Sequence, residues 1–219
     1  MKDEVNQKVS ARFRVVTKIA VSSSHSCRRG ASFSTSRAFA ETALMTRRYR
    51  VAAKAIHPNV RMGHVHLKVA NLERALGFYR DVLGFELTQR FGSSAAFLSA
   101  GGYHHHIGLN TWESEGGGRP AEGTTGLYHL AILYPTRAEL GDALRRLQKA
   151  GVPLEGASDH GVSEALYLRD PDGNGVELYW DRPKEEWPRT SEGLAMYTRP
   201  LDLASLSAAG GEDVTRGTN

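Results

Sequence analysis

One structural grammar is written twice in this chain, and that duplication restricts the fold more than any other feature. In RMGHVHLKV, residues 61–69, Val65, Leu67 and Val69 alternate with His64, His66 and Lys68, the period of a strand with one apolar face. Asn71 follows as an N-cap, and Leu72, Ala75, Leu76, Tyr79, Val82 and Leu83 recur at helical spacing until Gly84 ends the run. The pattern returns in GLYHLAILYPTRAELGDALRRLQKAGV, residues 126–152. There Leu130 and Ile132 alternate with His129 and Ala131, and Thr136 with Glu139 forms a capping box. Leu140, Ala143, Leu144 and Leu147 make the apolar stripe, and Gly151 closes it. His64 and His129 each stand seven residues before their helix cap.

Three short strands follow each helix. They read FELTQRF, SAAFLS and HHHIGLNTW in the first half, and VPLEGAS, EALYLRD and GVELYW in the second, with SAGGY and DPDGN as turns. The expected fold is α+β, with two tandem βαβββ modules forming a curved mixed sheet around a metal-binding cavity. The domain is placed at residues 56–182: module one at 61–112, a Gly-rich linker at 113–126 and module two at 127–182. The C-terminal tail, 183–219, has scattered apolar residues and no period that places it.

Charge separates this domain from what precedes it. Residues 1–60 carry 12 Lys/Arg against 3 Asp/Glu, a net +9, and the remainder carries 16 against 21, a net −5. The overall basicity therefore belongs to the leader and gives no reason to expect nucleic-acid binding by the domain. The Ser/Arg-rich leader, residues 1–55, reads as disordered, with an organellar transit peptide or a mis-assigned start as alternatives. No stretch approaches the roughly 18 apolar residues that span a bilayer, so no membrane partner is expected. The single Cys27 excludes disulfide frameworks and multi-cysteine metal sites, and fits a cytoplasmic, reducing compartment. Any metal chemistry has to use His and carboxylate.

Strand parity shows which side chains meet. If Val65, Leu67 and Val69 lie under the first helix, His64 and His66 point to the opposite, concave face. His129 does the same opposite Leu130 and Ile132, as do Glu177 and Tyr179 opposite Val176, Leu178 and Trp180. In the run of three histidines, His104 and His106 share that face, while His105 is expected beside Ile107 and Leu109. One carboxylate and several imidazoles converge.

The pattern carried by HVHLKVANLERALGFYRDVLGFEL, YHLAI and YLRDPDGNGVEL resembles the vicinal oxygen chelate superfamily: glyoxalase I, fosfomycin and bleomycin resistance proteins, and extradiol ring-cleaving dioxygenases. The resemblance covers residues 61–182 and implies metal ligands on the first and last strands of the modules, here His64, His129 and Glu177. A 2-His-1-carboxylate set leaves positions for substrate and dioxygen. The metal implied is Fe(II), and Mn, Ni or Zn suit the same donors. From His160 the sequence runs His, five residues, Leu166-Tyr167, two residues, Asp170-Pro171, one residue, Gly173, three residues, Glu177. This resembles the catechol 2,3-dioxygenase-type extradiol signature, departing from it at Ser158, and implies Glu177 as a ligand and His160 as an acid/base group beside dioxygen.

Three activities compete. An extradiol dioxygenase would take an aromatic diol and dioxygen, with His160, His106 and Tyr179 as catalytic candidates. A glyoxalase I-like isomerase or lyase would use the metal as a Lewis acid, but His106 stands where such enzymes usually carry Glu. A small-molecule binding or drug-resistance protein would need the pocket without His160. Taken singly, His66, His104 and His105 read as structural histidines. Single module pairs in this superfamily often form homodimers, some of which build each site from two subunits.

Overall fold

The computed structural model describes residues 55–210; residues 1–54, which carry nearly all of the leader, and 211–219 lie outside the described residues. Strand β1, Val65–Lys68, buries Leu67 and exposes His66 and Lys68. Helix α1, Leu72–Leu76, starts where the Asn71 side chain accepts from the Arg74 amide, and it runs on as a π-helical stretch, Gly77–Val82. The wider turn appears in the bond from the Leu83 amide to the Phe78 carbonyl, 3.0 Å. Gly84 ends the helix at a φ of 89°, a conformation open to glycine. Strands β2, Glu86–Phe91, β3, Ala95–Ser99, and β4, Ile107–Asn110, complete the first module.

The second module repeats the order with β5, Leu130–Leu133, α2, Arg137–Lys149, β6, Leu154–Asp159, β7, Ser163–Arg169, and β8, Gly175–Asp181. Thr136 caps α2 by accepting from the Glu139 amide, and Leu140, Ala143, Leu144 and Leu147 are buried. The fold is α+β with tandem βαβββ modules, as the repeat predicts. Its strands form two mixed sheets, of order β1-β4-β3-β2 and, with a short strand β11, Arg199–Pro200, from the tail, β11-β6-β7-β8-β5, where the sequence reading expects one curved sheet. Among the described residues, β1 and β5 are edge strands, paired in parallel with β4 and β8 on one side alone.

One apolar core unites the modules, drawing Leu67, Leu76 and Tyr79 from the first and Leu144, Leu147 and Leu178 from the second. Polar links reinforce it at the DPDGN turn. Tyr79 Oη donates to Asp170 Oδ2 at 2.9 Å, and Asp172 Oδ1 accepts from the Ala70 amide at 2.9 Å and from Arg74 Nη2 at 2.7 Å.

The tail that sequence left unplaced is a strap over module two. A 3-10 turn, Lys184–Glu186, leads to the hairpin β9, Arg189–Thr190, and β10, Gly193–Leu194. β11, Arg199–Pro200, then pairs with β6, and α3, Leu203–Ala209, packs on α2. A Cβ at Gly141 would collide with the Leu206 carbonyl, so this glycine permits the helix contact. Glu164, buried, accepts from Arg137 and Arg182, both at 2.7 Å, and Arg137 reaches on to Ser205. No helix among the described residues is long and apolar enough to cross a membrane.

Candidate functional site

β8 and the approach to β5 bring the strongest cluster together. Parallel pairing sets Leu130 beside Val176 and Ala131 beside Glu177, so His129, just before β5, lies next to the start of β8. Gly175 makes this approach feasible, because a Cβ there would run into the Tyr128 carbonyl and the His129 backbone. His129 Nε2 then stands 2.9 Å from Glu177 Oε2. That is close to the roughly 3 Å between two donors bound about 2.1 Å from one metal ion at a right angle.

The second carboxylate oxygen is spoken for. Tyr167 pairs directly with Glu177 across β7 and β8, and its hydroxyl donates to Glu177 Oε1 at 3.0 Å. The same hydroxyl is 2.8 Å from His160 Nε2. Burial, then the hydrogen bond to Glu177, pushes the Tyr167 hydroxyl far above its ordinary value, so it stays protonated at neutral pH. On the far side of its ring, His160 Nδ1 lies 3.1 Å from the Tyr197 carbonyl and 3.2 Å from Thr198 Oγ1. A connected polar path thus runs from His129 through Glu177, Tyr167 and His160 to the C-terminal strap.

Module one presents imidazoles instead. His64 lies just before β1, and its ring centroid is 4.4 Å from that of His105. His66 rests edge-on to Phe97 at 5.9 Å and beside Trp112 at 5.6 Å. It lies over Gly108, its partner on β4, where a Cβ would press on the ring. Partial desolvation, then the charge of the neighbouring His64, holds His66 below its ordinary value although the side chain remains exposed.

His106 turns to Ser99, with Nδ1 3.1 Å from the hydroxyl, and stacks near Tyr103 at 4.9 Å; the register that sets Gly108 beside His66, as Glu177 is set beside Ala131, makes Gly108 and not His106, as the sequence reading expects, the counterpart of the carboxylate in module one. Tyr179 shares the Glu177 face of β8, and burial, followed by Asp181 and Glu177, raises its hydroxyl. His105 departs from its expected place: it packs on His64 and on Phe97 at 5.0 Å, away from the Ile107 and Leu109 face. β4 begins only at Ile107, so strand alternation does not reach back to His105.

Of the proposed ligands, the structure joins His129 and Glu177 and leaves His64 on the other sheet. Among the described residues, no group of three or more His, Cys, Asp or Glu side chains is placed to hold a metal ion. A polar cleft of about 510 Å3, lined by Asn71, Arg74, Thr111 and Glu115 among others, includes none of these histidines. Sequence reasoning missed Tyr167 and Thr198. Parity could have found Tyr167, which sits between the core residues Leu166 and Leu168.

The model of the Glyoxalase/Bleomycin resistance protein/Dioxygenase superfamily matches residues 61–178. A catechol-2,3-dioxygenase of Bacillus subtilis (strain 168) is 42% identical over 160 residues, which cover 73% of this chain and 55% of that protein. The match therefore spans about half the length of that relative. A biphenyl-2,3-diol 1,2-dioxygenase 3 of Rhodococcus globerulus is 33% identical over 161 residues, 68% of this chain and 83% of that protein. A lactoylglutathione lyase of Neisseria meningitidis serogroup A is 28% identical over 127 residues, 54% of this chain and 89% of that protein. With repeated modules, a His and carboxylate pair on matching strands and a family match over more than half its length, this chain belongs to the glyoxalase/bleomycin resistance protein/dioxygenase superfamily.

Proposed function

We propose that the protein is an Fe(II)-dependent extradiol dioxygenase that opens the ring of an aromatic diol, with His64, His129 and Glu177 as metal ligands. The observation that carries this reading is the path from Glu177 through Tyr167 to His160, which ends in an imidazole suited to proton transfer. The dioxygenase relatives support it. Bound to these donors, iron would supply the electron exchange between diol and dioxygen. The protein groups divide the remaining work. Tyr167 holds Glu177 Oε1, leaving Oε2 turned toward His129. His160, whose Nε2 is on the site side of its ring, donates a proton there during ring opening and recovers one at the same atom, and the protonated Tyr167 hydroxyl keeps the imidazole aimed at the site.

The third ligand comes from a second copy of the chain. His64 and the pair His129 and Glu177 flank edge strands of two different sheets, and an edge strand is a surface on which another chain can pair. A homodimer that sets β1 of one protomer beside β5 of its partner completes two equivalent sites, by the isologous geometry of a two-fold axis. Mixing inactive His64→Ala and Glu177→Ala proteins should then restore activity through mixed dimers, each holding one intact site. A site built within one chain would give no restoration.

The activity itself is tested with Fe(II)-loaded protein, a panel of catechols and an oxygen electrode. Oxygen uptake with a yellow ring-opened product is expected. Oxygen-independent turnover of a glutathione hemithioacetal with Ni or Zn would replace this reading with the isomerase one. Silence in both assays with metal bound would favour a binding protein.

A further inference from the structure

We infer that Thr198, on the C-terminal strap, is a positioning residue that fixes the neutral His160 ring as its Nε2–H tautomer. This follows from counting hydrogens along the polar path. The Tyr167 hydroxyl has one hydrogen and two neighbours, Glu177 Oε1 at 3.0 Å and His160 Nε2 at 2.8 Å. A carboxylate has no hydrogen to give, so the Tyr167 hydrogen goes to Glu177. The hydrogen between Tyr167 and His160 must then sit on Nε2. That leaves a lone pair on Nδ1 of the neutral ring.

Two groups face Nδ1, and they are not equivalent. The Tyr197 carbonyl at 3.1 Å only accepts, so against a lone pair it is unfavourable. Thr198 Oγ1 at 3.2 Å can donate, and it is the group that satisfies the neutral ring. Without the hydroxyl, the better bond for Nδ1 is to donate to the Tyr197 carbonyl. The ring would switch tautomer, present a lone pair at Nε2 and compete with Glu177 for the Tyr167 hydrogen. Thr198 therefore acts through His160 on the orientation of Tyr167 and Glu177.

The strap holds Thr198 there by contacts of its own. The Tyr197 amide donates to the His160 carbonyl at 3.2 Å, and Arg199 and Pro200 pair with Asp159 and Ser158 on β6. The Arg199 guanidinium covers the Tyr197 ring at 4.2 Å. A side chain at Gly161 would strike Pro188 and Tyr197, which shows how closely the strap lies on the turn after His160.

The test is long-range proton–nitrogen NMR of the His160 ring in metal-free full-length protein, at a pH where the ring is neutral. Wild type and Thr198→Ser should show a pyrrole-type Nε2 and a pyridine-type Nδ1. Thr198→Val, nearly the same in shape, should show the reverse. A wild-type ring already protonated at Nδ1, or a Thr198→Val ring unchanged from wild type, overturns the assignment. The kinetic arm alone rests on the dioxygenase reading: Thr198→Val should lower kcat about tenfold with KM little changed, rescued in Thr198→Ser. A switched tautomer with unchanged kcat would refute the positioning role. Absence of catechol turnover in wild type would sink the dioxygenase reading and leave the NMR result standing.

Discussion

Module one and module two share strand order, helix position and N-cap logic, yet they carry different chemistry on corresponding faces. In module two a carboxylate, a phenol and two imidazoles are joined by successive contacts at 2.9, 3.0 and 2.8 Å. In module one the His64 ring meets that of His105, His105 packs on Phe97, and Phe97 packs on His66, which also lies against Trp112, so the contacts here are between rings. Duplicating a fold duplicates the backbone frame; what each copy does depends on the few residues at the outward positions of its first and last strands. The carboxylate at Glu177 faces Tyr167 across the ladder, whereas Gly108 in module one leaves its place to the His66 ring.

The largest effect expected from this asymmetry is at the carboxylate. Glu177→Ala should lower bound Fe(II) per protomer by more than about tenfold, and with it catechol turnover. His66→Ala should leave iron content nearly unchanged. Metal analysis of both variants after anaerobic loading checks the contrast, and equal losses would erase the division between modules.

The hairpins between the third and fourth strands differ as much. At Gly101 and Gly102 the module-one turn is open, with nothing beyond the adjoining residues within 4 Å of a Cβ added at either glycine. In module two, Asp170 is buried and accepts from the Asp172 and Asn174 amides, the Asn174 side chain and Tyr79 of the other module. Asp170→Ala leaves these donors without their acceptor and should cost about 3–5 kcal/mol of stability. Gly102→Asn, which tolerates positive φ, should cost well under about 1 kcal/mol. Urea unfolding measures both.

The parts of this asymmetry legible in the sequence are those governed by local periodicity. Val65, Leu67, Leu130, Val176 and Leu178 lie on the faces that alternation assigns, and Asn71 and Thr136 cap their helices as their side-chain chemistry requires. The π-helical widening after Leu76 is not legible, because it departs from the 3.6-residue repeat that marks a helix in sequence. The face of His105 is not legible either, because strand alternation begins only at Ile107. The contact of Thr198 with His160 spans 38 residues and comes from a segment with no apolar period, so no local rule exposes it. Convergence of His64 with His129 and Glu177 requires a relation between sheets, which strand parity alone does not specify.

The helices offer a smaller contrast. Gly141 in α2 lies under α3, so Gly141→Ala must displace that contact and should cost about 1–3 kcal/mol. Gly77, in the helical stretch after α1, has only the tip of Asp81 near a new Cβ, at 4.0 Å. Gly77→Ala should stabilise by about 0.5–1 kcal/mol through its helix propensity. Opposite signs in thermal unfolding would show that the strap, and not helicity, restricts module two.

The smallest effect tests the joint between the modules. Tyr79 is fully buried, and burial, then the charge of Asp170 and the hydrogen bond to it, raise its hydroxyl well above the ordinary value. Tyr79→Phe should cost about 1 kcal/mol at neutral pH, since Asp170 keeps its three other donors. The pH dependence has a definite sign. The folded state holds the phenol proton more tightly than the unfolded chain, so this contribution is complete below the unfolded value of about 10 and declines as pH rises from there toward the folded value. The slope for one such group approaches about 1.4 kcal/mol per pH unit, and phenylalanine cannot share it. Stability curves of wild type and Tyr79→Phe should therefore run parallel up to about pH 9 and converge above about pH 10. Curves that stay parallel into the alkaline range would mean that Tyr79 ionises equally in both states, and that neither its burial nor Asp170 holds its proton in the folded protein.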